Sequence, residues 1–515
     1  MSIDCLLFFP PLTKKEAVGG KAVNDKYGHL PPLGMAYLAS ALLEKGFTVD
    51  VIEPLVLGLS EEDVLRRIAE KKPRVVGLNA LTPTFAKTVS MARDVREQFP
   101  HIITIVGGTH PTLSYRGAVK GPAAGILDEH SWFDFVCVGE GELTIIELMN
   151  FLKKYDYDRG KILDHIKEAD PILGIVYREY GSEGRGIFTG ERPFVDLDIL
   201  PAPARHLLPM ERYVPFPVQY RRLPVVHMFV SRGCPWKCTF CCTPYTWGAE
   251  VRFRSPQKVV DEIKQVMRDF GAKEISFWDD TFTANPKWLT ELCDLIVAEK
   301  LDIIWSCFGR ANDMTPALAA KMREGGCWEI FFGIESVNQE SLNVIKKGLS
   351  PAITRRAAKI CHEVGIEMRG LFMLGLPMET PEKAEKTVDF AIELDLDYAQ
   401  FTMTTPHKGT DLYTAAKQYG MMIDEDSSRN TQNEAVFIPD GYRDAAQLNE
   451  TVKRAYRRFY FRPSYWWKKI KSIRSFQDFN RYYQGIKIAS AMVNYKMENW
   501  KSDLSEDVQA TLRSH

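Results

Sequence analysis

SRGCPWKCTFCC, residues 231–242, carries four cysteines within nine positions. Three of them, Cys234, Cys238 and Cys241, are spaced C-x3-C-x2-C. Thiolates at that spacing grip one face of a metal centre and select iron–sulfur clusters or zinc. A structural zinc site wants four ligands, usually from two paired arms, and one arm is present here. His227 or Cys242 would have to complete it, and adjacent Cys241 and Cys242 do not easily reach one small ion. A four-iron cluster held by three cysteines instead leaves one iron open to a substrate or cofactor. Gly233 permits a sharp exit from the preceding strand, and Pro235 stiffens the loop. Buried, unligated thiols are the alternative, and they would have to crowd a turn by chance.

The loop follows VVHMFV (225–230), the first of six apolar runs. The others are EISFW (274–278), DIIWSCF (302–308), WEIFFG (328–333), IEMRGLFML (366–374) and YAQFTM (398–403). Helical patterns follow the first five. In SPQKVVDEIKQVMRDFG (255–271), Ser255 is the expected N-cap, Pro256 the first helical residue and Gly271 the stop. Val259, Val260, Ile263, Val266, Met267 and Phe270 give that helix one apolar face. Six βα repeats predict a partial (β/α)6 barrel of the TIM type over 225–420, with its chemistry at the carboxyl ends of the strands.

Residues 1–155 repeat the alternation. CLLFF (5–9), FTVDVI (47–52), RVVGLNA (74–80), IITIVGG (102–108) and FDFVCVG (133–139) read as strands. PPLGMAYLASALLEKG (31–46) reads as a helix between them. The pattern predicts an α/β, doubly wound, Rossmann-like or flavodoxin-like domain that binds ligands at its strand ends. Three such ends, LNALTPT (78–84), VGGTHPT (106–112) and VGEGE (138–142), are rich in glycine or hydroxyls, as a close-approaching ligand or an ordinary tight turn requires. Residues 156–224, with YGSEGRG (180–186) and LPAPARHLLP (200–209), read as a connector with a small hairpin. Residues 421–515 read as a mainly helical C-terminal domain. Its RRFYFRPSYWWKKIKSIR (457–474) suits either a membrane interface or a helix docked on the barrel, and aromatic stripes favour the second.

Bulk properties are those of a globular chain: 515 residues, 45% hydrophobic, net charge −1. That length calls for more than one core. The charge balance offers no general reason to bind nucleic acid. No apolar run is long enough to span a bilayer, and MSIDCLLFFPPL lacks the features of a signal peptide. Ten scattered cysteines do not make a disulfide scaffold, so a reducing cytoplasm is expected.

The three-cysteine loop, with Phe240 before its last cysteine and a six-fold βα repeat behind it, resembles the radical S-adenosylmethionine (SAM) enzymes. WDDTFT (278–283), CFGR (307–310), GIES (333–336), the strand bearing Arg369, GLPMET (375–380) and HKGTDLY (407–413) resemble strand-end signatures of that family's cobalamin-dependent branch. The first block is similar to that branch's cobalamin domain. The resemblance implies a 4Fe-4S cluster on Cys234, Cys238 and Cys241, with SAM on its open iron. It implies Phe240 beside the adenine, Arg310 or Arg369 as a fork for the methionine carboxylate, and Glu335 and Ser336 for the amino group or ribose. Asp280 stands with Asp279 where many radical enzymes carry a Gly-Gly-Glu amine-binding motif. The arginines serve equally as ion-pair partners, and Asp280 as a helix cap. For cobalamin it implies Leu81 and Thr82 beneath the corrin, and Gly107, Gly108, Thr109, Gly139, Glu140 and Gly141 along the nucleotide tail. FFPPLTKKEAVGG (8–20) lacks the Asp-x-His-x-x-Gly histidine of cobalamin mutases, so no protein imidazole is expected below cobalt.

The implied reaction is hydrogen abstraction from an unactivated carbon by a 5′-deoxyadenosyl radical, followed by methyl transfer from methylcobalamin. Oxidative cyclisation, as in the anaerobic magnesium-protoporphyrin ester cyclases that the chain also resembles, is the alternative. A non-catalytic corrin- and metal-binding sensor is the remote one. The implied partners are a small molecule (a lipid, terpenoid, porphyrin or peptide), a low-potential donor such as flavodoxin or ferredoxin, and possible peripheral membrane contact through the tail.

Overall fold

Short apolar runs become parallel strands wherever both faces can be covered. The structure, a computed structural model, describes residues 2–10, 28–118, 125–178, 185–423, 435–473 and 476–494. Most of FFPPLTKKEAVGG and of YGSEGRG, and the chain after 494, lie outside the described residues.

In the first block, β1 (Cys5–Phe8), β2 (Val49–Ile52), β3 (Val75–Asn79), β4 (Ile103–Gly107) and β5 (Phe135–Cys137) run parallel in the order β2-β1-β3-β4-β5. This is the flavodoxin-like order, whose switch point lies between β1 and β3. Alternation assigns Cys5 and Leu7 to one helix-covered core and Leu6 and Phe8 to the other. The expected helix runs Leu33–Glu44. The connector's hairpin is not free-standing. β6 (Ile175–Arg178) and β7 (Gly186–Phe188) extend the same sheet antiparallel beyond β5. Arg178 holds that edge by donating to the carbonyls of Phe133, at 3.0 Å, and His130, at 2.8 Å.

The second block is one parallel six-stranded sheet. Its strands are β8 (Val225–Met228), β11 (Glu274–Phe277), β12 (Ile304–Gly309), β13 (Cys327–Glu335), β14 (Glu367–Leu374) and β15 (Tyr398–Met403). The short pair β9 (Ser231–Arg232) and β10 (Arg252–Phe253) brackets the cysteine loop. Ile275, Phe277, Trp305, Cys307, Ile330 and Phe332 face the helices in the main core. Ser276 and Trp278 point the other way, into the barrel, where Trp278 Nε1 donates to Ser276 Oγ at 3.0 Å.

Local sequence starts and stops the barrel helices. Asn285, Thr315, Ser350 and Thr380 each cap a helix with a side-chain oxygen, and each is followed by proline at the first helical position. Such a cap is worth about 1 kcal/mol. Ser255 departs from its expected role. The helix Pro256–Phe270 starts after it, but its side chain makes no cap bond; its N–H donates to Asp198 instead. Gly271 ends that helix with φ +63°.

The aromatic tail covers the open edge of β15. Tyr460 Oη donates to the Ala399 carbonyl at 2.7 Å and accepts from its N–H at 3.0 Å, and Tyr456 Oη accepts from the Phe401 N–H at 3.2 Å. These bonds satisfy a strand edge that would otherwise invite pairing. Within 457–473, Tyr465 is buried, whereas Trp467 and Ile470 are exposed. Among the described residues, no helix is long and apolar enough to cross a membrane.

Candidate active site

The cysteine loop is pinned from four sides. Gly233 has φ +100°, and a Cβ there would lie 2.0 Å from the Glu250 carbonyl oxygen, so only glycine fits the turn. From β11, Asp279 accepts from the N–H groups of Val230 and Ser231 and from Ser231 Oγ. Thr281 Oγ1 lies 3.2 Å from Cys234 Sγ. The Thr239 N–H donates to the Ile345 carbonyl at 3.0 Å, and the Leu412 N–H donates to the Thr239 carbonyl at 2.8 Å. The Arg310 guanidinium stacks 3.8 Å from the ring centre of Trp236.

Burial pushes the Cys241 thiol up to about 12. It is therefore protonated at neutral pH until a metal displaces the proton. Among the described residues, no three His, Cys, Asp or Glu side chains converge on a single ion. A zinc ion needs such convergence; a four-iron cluster does not, because each cysteine binds a different iron. Three unpaired cysteines on one pinned strand-end loop fit the cluster with one iron left free.

The remaining expected SAM residues divide. Phe240 packs on Leu342, Ile345 and Leu376 beside the loop. Arg310 is buried at the end of β12, donates to the Lys347 carbonyl, and leaves its Nε without a partner. Glu335 sits at a register shift ending β13, with φ +64°, and pairs with Lys347 Nζ at 2.6 Å. A non-glycine residue held there marks a constrained site. Asp280 accepts from Thr243 Oγ1 at 2.9 Å and is exposed at the mouth.

Two residues lie elsewhere. Ser336 turns outward: its Oγ meets Thr387 Oγ1, on the helix Pro381–Glu393, at 3.2 Å and accepts from the Asn338 N–H. Arg369 aligns with Phe331, which aligns with Phe308, so it lies one inward-facing layer below Arg310. The buried carboxylate of Glu329, 2.9 Å away, holds it there. His227 is also buried inside the barrel, and burial with nearby Arg205 lowers it to about 3, so it is neutral.

A second cavity, of about 220 Å³, opens at the strand ends of the first sheet. Leu81, Gly107, Gly108, Thr109, Gly139 and Gly141 line it. Gly34 faces open space, since a Cβ there would touch nothing within 4 Å. Asn79 Oδ1 is buried in the wall without a partner, an acceptor that suits a corrin's carboxamides. At that volume the cleft holds only part of a cobalamin, and its glycine-cleared lining and unpaired acceptor suit that part. Leu81 is 40% exposed at its edge.

Thr82 is buried outside this wall, with Oγ1 3.3 Å from His110 Nδ1. That ring stacks on Phe85, and burial lowers it to about 4, so it is neutral. Glu140 also lies outside the wall, because Arg252 at 2.6 Å and Arg232 at 3.3 Å engage its carboxylate. Glu142, which does line the cavity, pairs with Arg232 at 2.5 Å. Arg232, Thr246 and Trp247 complete the wall from the barrel side.

Asp279, Thr281, Trp236 and Lys347 were not singled out by sequence as loop-holding residues. For the first three the signal was present, in WDDTFT and in the loop itself. Lys347 carries none, because the chain brings it back to Glu335 only after the helix Gln339–Val344.

Residues 228–391 match the family model described as the radical SAM superfamily, and residues 21–149 match the B12 binding domain. An uncharacterized methyltransferase of Pyrococcus horikoshii is 33% identical over 438 residues, covering 84% of this chain and 88% of its own. An anaerobic magnesium-protoporphyrin IX monomethyl ester cyclase of Rubrivivax gelatinosus is 28% identical, covering 85% and 75%. Among solved structures, the cobalamin-dependent SAM radical enzyme OxsB aligns over 100% of this chain and 75% of its own, with TM-score 0.69 and 15% identity. The radical SAM methyltransferase TsrM of Kitasatospora setae covers 95% and 99%, with TM-score 0.65 and 16% identity. At those identities the structural likeness is one of fold.

Proposed function

The chain belongs to the radical SAM enzymes that carry a B12-binding domain, and on that premise we propose that it methylates an unactivated carbon of a small molecule. When bound, the 4Fe-4S cluster and SAM supply a hydrogen-abstracting radical, and cobalamin supplies the methyl group. Cys234, Cys238 and Cys241 hold the cluster. Trp236 and Arg310 fix the loop, and Arg310 and Asp280 orient the charged end of SAM while Phe240 flanks its adenine. Glu335, tied to Lys347, shapes the rim. Leu81 and the glycines at 107, 108, 139 and 141 seat the corrin, with Thr109 beside them. Residues 1–155 form the corrin domain and 225–420 the barrel. Enclosure by both domains keeps the reacting groups close and dry.

The observation that carries this reading is the position of Arg232. It stands two residues before Cys234 and forms part of the wall of the first domain's cavity. One rigid loop therefore joins the cluster ligands to the corrin site.

The test is anaerobic reconstitution, then incubation with SAM and a low-potential reductant, with and without methylcobalamin. Mass spectrometry should find 5′-deoxyadenosine and, only with methylcobalamin, S-adenosylhomocysteine. Cys238→Ala should make neither. Absence of both from a fully iron-loaded wild type would overturn the proposal.

Oxidative cyclisation is the second reading, favoured by the Rubrivivax relative. Product mass separates the two: methylation adds a methylene, whereas cyclisation removes hydrogens. A flavodoxin or ferredoxin in the cytoplasm suits the electron supply. Exposed Trp467 and Ile470 are the features that would touch a lipid surface, and liposome flotation tests that contact.

A further inference from the structure

A larger cavity, of about 420 Å³, lies inside the barrel on its open side. The residues before β8, the inward faces of β12 to β15, and the three C-terminal helices enclose it. The reading above uses none of these walls. The volume lies within the range of small-molecule sites, roughly 300–1,000 Å³.

Half of the lining residues are aromatic. Trp278 meets Phe308 edge-on at 5.3 Å, and Phe308 stacks on Phe331 at 4.8 Å. These three rings form a continuous wall across three strands, one layer below Asp280 and Arg310. Aromatic faces and edges accept another flat ring well. They give a flexible acyl chain no comparable gain over an aliphatic wall.

Against this apolar wall stand two polar groups with atoms left unpaired. Tyr398 is 1% exposed and Arg369 5%, and both line the cavity. Tyr398 Oη and Arg369 Nε are buried without hydrogen-bond partners. The Arg369 guanidinium lies 4.3 Å from the centre of the Tyr398 ring, so the two groups stand side by side in the cavity wall, with Glu329 and the Val218 carbonyl engaging the arginine's Nη2. Buried donors left unmade are costly, and a ligand acceptor would satisfy them. Lys469 Nζ lies 4.2 Å from the centre of the same ring, with Asp397 Oδ1 3.5 Å away as its partner, and is a second cationic group beside Tyr398.

We infer that this cavity is the substrate site and that it takes a flat, ring-rich molecule whose carbonyl or carboxylate oxygen accepts from Tyr398 Oη and Arg369. The inference rests on the proposed radical methylation and names its substrate class. Arg369 and Tyr398 then fix the acceptor end of the substrate, and the aromatic wall directs its ring system toward the cluster loop.

The test is calorimetric titration of the reconstituted full chain with three probes: pyrene-1-carboxylate, 1-pyrenemethylammonium and palmitate. Pyrene-1-carboxylate should bind at one site per chain, with the ammonium probe and palmitate at least tenfold weaker. Tyr398→Phe, which keeps the ring, should weaken the carboxylate probe about fivefold to tenfold and leave the ammonium probe unmoved. Leu371→Trp, which fills the cavity from β14, should abolish binding of the carboxylate probe, with circular dichroism confirming the fold.

Equal or tighter binding of palmitate would overturn the substrate class. Unchanged affinity in both variants would overturn the site. Cleavage of SAM by the same wild-type preparation reports separately on the radical reading. Cleavage without probe binding sinks this inference alone, whereas loss of cleavage sinks the premise.

Discussion

Arg310 and Trp236 stack at 3.8 Å, tying the end of β12 to the middle of the cysteine loop. The guanidinium also donates to the Lys347 carbonyl, so the loop, β12 and the segment after the short helix Gln339–Val344 share one anchor. With Arg310 buried and Trp236 half-buried, such a cation–π contact is worth about 1–2 kcal/mol. Trp236→Ala should therefore lower iron and sulfide per chain after reconstitution by twofold or more, while Trp236→Phe should restore most of the loss. Equal loading in all three proteins would show that the stack does not hold the loop.

Arg232 bridges the two domains through Glu142 at 2.5 Å and Glu140 at 3.3 Å. Removing one partner leaves a buried charge uncompensated, typically at a cost of about 3–5 kcal/mol. Glu140 keeps part of that compensation, so Glu142→Gln should cost about 1–3 kcal/mol. Thermal unfolding should begin earlier, and cobalamin absorbance should be lost from the purified protein before the cluster's absorbance is.

Gly34 offers a substitution that separates binding from stability. It lies in the helix Leu33–Glu44 and faces open space in the first domain's cavity. Glycine in a helix costs about 0.5–1 kcal/mol relative to alanine or leucine. Gly34→Leu should leave the melting temperature equal or slightly higher while reducing cobalamin retention at least tenfold. A variant that retains cobalamin normally would place the corrin elsewhere.

Asp279 predicts a pH dependence. Burial raises its carboxyl from 3.8 to about 7. Burial likewise raises Glu274, Glu329 and Glu379 in the same barrel from 4.5 to about 7. A carboxyl with a raised folded pKa binds its proton more tightly in the native state than in the unfolded one. Its contribution is therefore fully present below the ordinary carboxylate range and is lost as pH rises toward 7. Buried, neutral His227 and His110 act in the opposite sense over the same window, so the carboxyl's effect is read against a variant. Between about pH 4 and pH 7, urea unfolding of the wild type should lose stability relative to Asp279→Asn. Asp279→Asn, which keeps an acceptor for the Val230 and Ser231 N–H groups, should flatten that slope by about 2–4 kcal/mol at most.

The legible part of the site is its local part. The cysteine spacing, the proline start at Pro256 and the glycine stop at Gly271 all act over a few residues. Six strand ends could be placed because each strand needs only its own apolar run and the turn after it. Glu140 misled because a glycine-flanked acid at a strand end looks the same whether it meets a ligand or an arginine. Its partner Arg252 is 112 positions away in sequence. Ser336 misled similarly: one step past the left-handed Glu335, its side chain turns outward to Thr387.

By itself, the sequence determined two α/β layers and a three-thiol loop at the head of a βα barrel. Periodicity, caps and ligand spacing are short-range properties that each segment carries alone. Only the tertiary structure decided that Arg232 joins the cysteine loop to the first domain. It alone decided that Glu329 draws Arg369 below the cluster end, and that the tail's tyrosines close β15 and enclose an aromatic cavity. Those outcomes depend on strand register and domain docking, which bring together charges and rings that no local pattern relates.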